Sequence, residues 1–176
     1  MLFAKFFRKK KRVTNALTYD LTRFVEAQDK IYHTVIKELK NAYKFHHWMW
    51  YIFPQFDGLA ITKRSEFYAI KSQEEAKAYL AHPILKERLE ECCQLLLDIE
   101  NKSIDKILGY PDNLKLNSSM TLFYYVSKNE LFQKSTAKHK LVLHSNETKN
   151  THQTTPTPKK SQIFTYSLFN FILTKV

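Results

Sequence analysis

Apolar residues recur three and four positions apart over most of the chain, which is the spacing of helices that bury one face. The first helix is predicted over residues 20–42, with Asp20 as its N-cap. The apolar run at 45–53 is too short for its period to distinguish helix from strand, and we favour a short helix because its neighbours are helical. Ser65 is predicted to begin a brief helix that ends at Ile70. No strand-like alternation of useful length is present, so the predicted class is all-α, a compact irregular helical bundle.

Capping residues delimit the predicted helices in the second half of the chain. Ser72 and Glu75 have the spacing of a capping box, in which the hydroxyl accepts from the third amide and the carboxylate reaches back. The helix that they introduce is predicted to end at Ala81, and Pro83 suits the first position of the next, which is predicted to run to Asn101. Ser103 and Asp112 are predicted to cap the next two helices, the first of which ends at Gly109, and a last short helix is predicted to begin at Asn129.

Composition divides the chain into three parts. Residues 1–17 form a basic N-terminal arm and residues 18–140 form the helical domain. Residues 144–162 contain no Val, Leu, Met, Phe or Trp, so this segment cannot bury enough apolar area to offset its ordering entropy. Residues 163–176 are apolar again but too few to cross a bilayer as a helix. We therefore expect residues 141–176 to be a low-complexity linker and apolar tail that is poorly ordered.

Positive charge is concentrated at the two ends of the chain. The sequence has 28 Lys and Arg against 17 Asp and Glu, a net charge of +11. Residues 1–17 contribute +6 and residues 134–176 another +6, which leaves −1 for residues 18–133. Because neutralisation of phosphates drives nucleic-acid affinity, the central region gives no strong nucleic-acid signal.

The sequence favours a cytoplasmic protein without a membrane span. The apolar residues near the start precede the basic cluster, which is the reverse of a secretory signal, and no apolar run is long enough to cross a bilayer. The two cysteines, Cys92 and Cys93, are adjacent within a helical pattern. Buried, reduced thiols are the expectation for such a pair.

Residues 46–55 are the most unusual stretch, because His47, Trp48, Trp50 and Gln55 lie within it. Tryptophan offers a large flat surface for stacking a planar ligand, and histidine acts as an acid or a base near neutral pH. The alternative interpretation is that the aromatic run belongs to the core and that its histidines only hydrogen-bond to the backbone.

Two further groups of polar residues are candidates for binding. His82 lies at a predicted helix N-terminus, which favours anions, and Arg88 follows on the same helix. The alternative is that His82 is an N-cap and Arg88 a surface or packing residue. Lys115, Ser118 and Ser119 share one helix face, although serines in a buried helix often bond only to the preceding turn. Neither the histidines nor the cysteines have zinc-ligand spacing, so no metal and no cofactor is predicted.

Five segments occur in the order and spacing of a known family: YDLTRFVEAQ (19–28), HWMWYIFPQ (47–55), EFYAI (66–70), EEAKAYLAHPILKERLEEC (74–92) and DNLKLNSSMTLF (112–123). Over residues 19–133 the chain therefore resembles the family called domain of unknown function 1810, a bacterial all-helical family that automatic labels sometimes describe as calpastatin-like. The resemblance implies an all-α fold and transfers no catalytic residue. Nothing in these segments supports the protease inhibition that the calpastatin label implies.

Two features depart from the pattern of that family. Ala60 stands where the family usually has a glycine, so the loop after Gln55 is expected to differ. After Gln133 the family continues into a closing helix and an aromatic, glycine-containing end, whereas this chain runs into STAKHKLVLHSNETKN. We interpret this as a shifted reading frame or a replaced, truncated C-terminus.

Two hypotheses about function follow from these residues. The first is a pocket for a small planar anionic ligand, nucleotide-like, because buried cations and amides are costly unless something pairs with them. The second is a non-enzymatic protein-interaction module whose motif residues only specify the fold and whose partner is a protein. Whether the protein is an enzyme is left open; the candidate acid–base residues are His47 and His82. The candidate ligand-binding residues are Trp48, Trp50, Gln55, Tyr68, Arg88, Lys115, Ser118 and Ser119.

Overall fold

Helices form almost all of the regular structure in residues 19–59 and 62–137, which are the residues that the computed structural model describes. Those residues contain no strand; one isolated parallel bridge joins Phe56 to Ile70. The predicted all-α class is confirmed. The helices are α1 (Thr22–Asp29), α2 (Tyr32–Lys40), α3 (Met49–Ile52), α4 (Lys63–Phe67), α5 (Gln73–Ala81), α6 (Pro83–Asp98), α7 (Ile104–Leu108), α8 (Asp112–Ser127) and α9 (130–137).

The single helix predicted over residues 20–42 is wrong, because a tight turn separates α1 from α2. Ile31 leaves the helical conformation at φ −137° and ψ −4°, and its N–H donates to Gln28 O at 2.9 Å. The buried positions Gln28, Val35 and Leu39 stay in helical phase across this turn, so the period of apolar residues could not reveal it. The N-cap of α1 is Leu21 rather than the predicted Asp20.

Local capping explains where most of the other helices begin. The Ser72 hydroxyl accepts from the Glu75 N–H at 3.1 Å, as predicted, whereas the Glu75 carboxylate accepts from Lys71 N–H at 2.6 Å instead of reaching back to Ser72. The helix predicted to begin at Ser65 begins two residues earlier. Thr62 is its N-cap, and Thr62 and Ser65 form a reciprocal capping box.

The boundaries of three further helices follow or correct the sequence prediction. Pro83 occupies the first turn of α6, as predicted, but that helix ends at Asp98 rather than Asn101. Ser103 caps α7, and Gly109 terminates it with a φ of +73° that a glycine adopts without strain. Asp112 was predicted as the cap of α8 but is its first helical residue, and its carboxylate serves two lysines instead.

One continuous apolar core holds these helices together. Its largest fully buried side chains are Trp48, Tyr79, Phe24, Phe53, Phe123 and Phe132. The helix α3 packs against α1 and α8, while α5 packs against α6 and α8. This packing sets α3 at the edge of the core, with α8 beside it, and so determines which side chains meet around Trp50.

Three sequence predictions concern residues that the structure does not describe. The basic arm at 1–17 and the linker and tail at 141–176 lie outside the described residues, as does Ala60. Among the described residues, no helix is both long enough and apolar enough to cross a bilayer.

Candidate functional site

Two cations from different helices converge on the half-buried indole ring of Trp50, which lies on α3. The Arg64 guanidinium of α4 and the Lys115 ammonium of α8 each lie 5.3 Å from the centroid of the ring. The ring of His47, just before α3, lies 6.2 Å from it and is exposed. We call these four residues the Trp50 cluster. Cations within about 6 Å of an indole are attracted by the negative face of the ring.

Around Lys115 there are more positive than negative side chains, because two lysines share one carboxylate. The Asp112 carboxylate pairs with Lys115 at 2.8 Å and with the buried Lys44 at 2.6 Å. Burial opposes ionisation of Asp112, but the hydrogen bonds and charges of both lysines outweigh it and hold its pKa below the usual value. Arg64 makes no ion pair with any residue in the described part of the chain. Three cations and one carboxylate therefore leave this region positive.

A second set of rings lies next to the Trp50 cluster. The rings of Tyr51 and Tyr68 are 5.2 Å apart, and those of Tyr68 and Phe67 are 4.9 Å apart. Burial and the neighbouring Tyr68 raise the pKa of Tyr51, and the positive charge of Arg64 partly opposes that rise. Phe67 is 58% exposed, although it is a phenylalanine. Phe67 therefore presents an exposed aromatic ring at the end of α4.

The buried carboxylate of Glu38 holds the segment that leads into α3. It accepts hydrogen bonds from the backbone N–H groups of Phe45 at 3.0 Å and His46 at 3.1 Å. It also accepts from the Trp48 indole at 2.7 Å and contacts the His46 ring. Burial would raise the pKa of Glu38, but these donors together lower it below its usual value. Glu38 thereby fixes where α3 begins and hence where Trp50 projects.

Of the residues predicted to bind a ligand, the structure brings Trp50 and Lys115 together directly. His47, predicted as an acid–base group, borders the same ring. Tyr68 joins them through Tyr51. These residues come from three separate stretches of the sequence, as the hypothesis of a shared site requires.

The other predicted residues lie elsewhere. Trp48 is fully buried in the core. The Gln55 carbonyl accepts from Ile70 N–H at 2.9 Å, beside the isolated bridge. The Arg88 guanidinium pairs with Asp29 at 2.7 Å and lies 4.7 Å from the Tyr32 ring, where α6 meets α1 and α2. Through these contacts Arg88 joins α6 to α1 and α2.

His82 and the two serines also make structural contacts. The Nδ1 atom of His82 accepts from Leu85 N–H at 3.4 Å and caps α6. The Ser118 hydroxyl donates to Leu114 O at 3.1 Å, one turn earlier on α8. Ser119 is fully buried, and its hydroxyl makes no hydrogen bond with the described residues.

Sequence reasoning missed Arg64, Lys44 and Phe67. A helix that begins at Ser65, as the sequence predicts, leaves Arg64 outside it, whereas Arg64 lies within α4. The signal that could have corrected this is Thr62, a good N-cap placed three residues before a second hydroxyl. No local signal marks Lys44, because its partner Asp112 is distant in the sequence.

A surface cavity of about 320 Å³ lies at the start of α5, and none of the predicted site residues lines it. Its cation, Lys71, is paired with Asp57 at 2.9 Å, and Glu74 adds a second carboxylate. The cavity is therefore not positive in the way that the Trp50 cluster is. Its lining residues are Phe56, Asp57, Gly58, Lys71, Ser72, Gln73 and Glu74. In the described ranges, no group of three His, Cys, Asp or Glu side chains could hold a metal ion.

Comparison with known proteins bears on ancestry. A family model described as "Protein of unknown function (DUF1810)" matches residues 18–154, a range that continues past Gln133. The crystal structure of the conserved hypothetical protein Rv1873 from Mycobacterium tuberculosis is similar, with a TM-score of 0.68 and 46% sequence identity. The alignment covers 69% of this chain and 88% of that chain. No curated protein matches the sequence. On the extent of the family match and this level of identity, the chain belongs to the DUF1810 family.

Proposed function

We propose that the protein binds a small planar anionic ligand of the nucleotide kind, and that the ligand lies against the Trp50 cluster. The observation that carries this proposal is the convergence of Arg64 and Lys115 on one half-buried indole. An indole supplies stacking surface for a base, and the two cations supply partners for a phosphate.

The charge balance around Asp112 favours an anion over a neutral ligand. Asp112 is shared between Lys44 and Lys115, so it neutralises at most one of them. Arg64 presents a guanidinium, which can bind a phosphate through two parallel hydrogen bonds. A bound phosphate would pair with the positive charge that the acidic side chains of the described residues do not neutralise.

Tryptophan fluorescence provides a direct test because the chain has two tryptophans, one buried in the core and one in the cluster. We expect ATP or AMP to quench the emission of Trp50. In the variant Trp50→Phe, the emission of Trp48 remains and the change on titration is lost. Unchanged quenching in Trp50→Phe would contradict a site at this ring.

Charge variants test the same site by a second route. Arg64→Gln removes an exposed guanidinium and is expected to weaken nucleotide binding about tenfold, since hydrogen bonds to charged groups contribute about 1.5–3 kcal/mol. The matched control is Lys106→Gln, which also removes an exposed cation, on α7. Equal losses in both variants would mean that binding depends on overall charge and not on the cluster.

The second function, a protein-interaction module, is favoured by exposed aromatic rings that do not belong to the Trp50 cluster. Tyr43, Phe45 and Tyr110 are 57%, 71% and 85% exposed. The segments that carry them are joined, because Lys44 N–H donates to Ile107 O at 2.8 Å. A thermal-shift screen discriminates between the functions, because a ligand at a hundredfold excess over its Kd should add about 2.7 kcal/mol of stability. No shift with any nucleotide would favour the module.

Catalysis forms no part of the proposed function. Of the two histidines predicted as acid–base groups, His47 borders the Trp50 cluster and His82 caps α6. Only His47 is therefore placed where it could contact a ligand bound at Trp50.

A further inference from the structure

We propose that the ligand of the Trp50 cluster is single-stranded nucleic acid, read as two stacked bases on either side of one phosphate. This inference rests on the proposed function, because it names the substrate class of the same site. It goes further, because a mononucleotide needs only one ring and one cationic group. The surface offers a second ring.

The second ring is that of Phe67, which lies three residues after Arg64 on α4. Arg64 and Phe67 are three residues apart on this helix, so their side chains lie on the same side of it. Arg64 also lies 5.3 Å from the Trp50 ring. Arg64 therefore has the Trp50 ring of α3 beside it and lies on the same side of α4 as Phe67.

Phe67 is held in place but left open to solvent. Its ring lies 4.9 Å from that of Tyr68, which in turn packs against Tyr51 and Phe24. Despite this support, Phe67 remains 58% exposed. A well-supported, exposed phenyl ring is a platform on which a base can stack, as in proteins that bind single strands by alternating rings and cations.

The charge of the site suits a backbone phosphate. Arg64 has no acidic partner among the described residues, and Lys115 shares its carboxylate with Lys44. The near-neutral charge of the central sequence averages over these local differences. That average charge provided no strong indication of nucleic-acid binding. The fold brings Arg64 and Lys115 together beside the Trp50 ring.

The test must separate base stacking from general attraction to polyanions, because the two ends of the chain are basic. We would titrate the full chain with thymidine monophosphate, a thymidine hexanucleotide and an abasic hexamer with the same number of phosphates. Quenching of Trp50 and the anisotropy of a labelled strand report binding. We expect the hexanucleotide to bind at least tenfold more tightly than either of the other probes.

The diagnostic variant is Phe67→Ala, with Tyr110→Ala as the control because it removes an exposed ring from the segment between α7 and α8. Stacking of one base is worth about 5-fold to about 100-fold in affinity. We expect that loss for the hexanucleotide in Phe67→Ala, no loss for the monophosphate, and neither loss in Tyr110→Ala. Thermal unfolding of both variants shows whether the fold is retained.

The other outcomes overturn the inference in distinguishable ways. If the abasic hexamer binds as tightly as the hexanucleotide and Phe67→Ala has no effect, the attraction is only electrostatic. If the monophosphate quenches Trp50 but the hexanucleotide binds no more tightly, the inference fails and the proposed function stands. If neither probe quenches Trp50, both fail.

Discussion

Replacing Glu38 by glutamine tests how the segment before α3 is held. The carboxylate accepts from the backbone N–H groups of Phe45 and His46 and from the Trp48 indole, and it contacts the His46 ring. A glutamine keeps one acceptor oxygen but turns an NH₂ group towards these donors. Hydrogen bonds to a charged group contribute about 1.5–3 kcal/mol each but are not additive, so we expect the free energy of unfolding to fall by about 3 kcal/mol near neutral pH.

The pH dependence of that loss follows from the lowered pKa of Glu38. Because its pKa in the folded protein lies below the ordinary value of 4.5, its contribution is fully present above pH 4.5 and is lost as the pH falls through the folded pKa. Glutamine does not titrate. The difference in stability between the wild type and Glu38→Gln should therefore shrink below pH 4.5.

Urea unfolding followed by tryptophan fluorescence, from pH 7 down to pH 3, measures this difference. The matched control is Glu87→Gln on α6, which changes an exposed glutamate and should leave the unfolding midpoint almost unchanged. A loss below about 1 kcal/mol at pH 7, or a difference that stays constant into acid, would refute the role assigned to Glu38.

Three further predictions concern residues around the core. His82→Ala should cost about 1 kcal/mol through loss of the α6 cap, and His82→Asn should restore much of it; equal melting temperatures for all three proteins would contradict the cap. Burial raises the pKa of Cys92 to about 12 and that of Cys93 well above its usual value. Neither thiol should therefore react with Ellman's reagent at pH 8 until denaturant unfolds the chain. Rapid reaction in the native protein would disprove this. Asp112→Asn should lower the melting temperature at pH 7, because Lys44 stays buried without its anion. The difference in melting temperature from the wild type should shrink as the pH falls through the pKa of Asp112 in the folded protein, which lies below 3.8. An unchanged melting temperature at pH 7 would show that the Lys44–Asp112 pair contributes nothing to stability.

Features that depend on a few neighbouring residues could be predicted from the sequence. Ser72, Pro83 and Ser103 mark the starts of α5, α6 and α7, because a cap is made by atoms within one turn of the chain. The all-α class follows from the same spacing of apolar residues. Where the local pattern was ambiguous, the prediction failed: the turn at Ile31 leaves the helical phase intact, and Thr62 was overlooked as a cap.

The two tryptophans show what a local sequence pattern cannot predict, namely which of two similar residues is buried. Trp48 and Trp50 are two residues apart and look alike as candidates, yet one is buried and bonded to Glu38 while the other is half-buried beside two cations. At the start of a helix, two positions correspond to about 200° of rotation, so one faces the core and the other the edge. Only the packing of α3 against α1 and α8 decides which is which.

The sequence by itself determined the helical class, the starts of α5, α6 and α7, and the kinds of residue from which a site could be built. The tertiary structure decided which of them meet. Arg64 reaches Trp50 from the next helix along the chain, whereas Lys115 reaches it from the distant α8, and Lys44 meets Asp112 across a similarly large separation. Helix formation depends on hydrogen bonds within a turn, whereas a site depends on how helix faces pack, which no local pattern records.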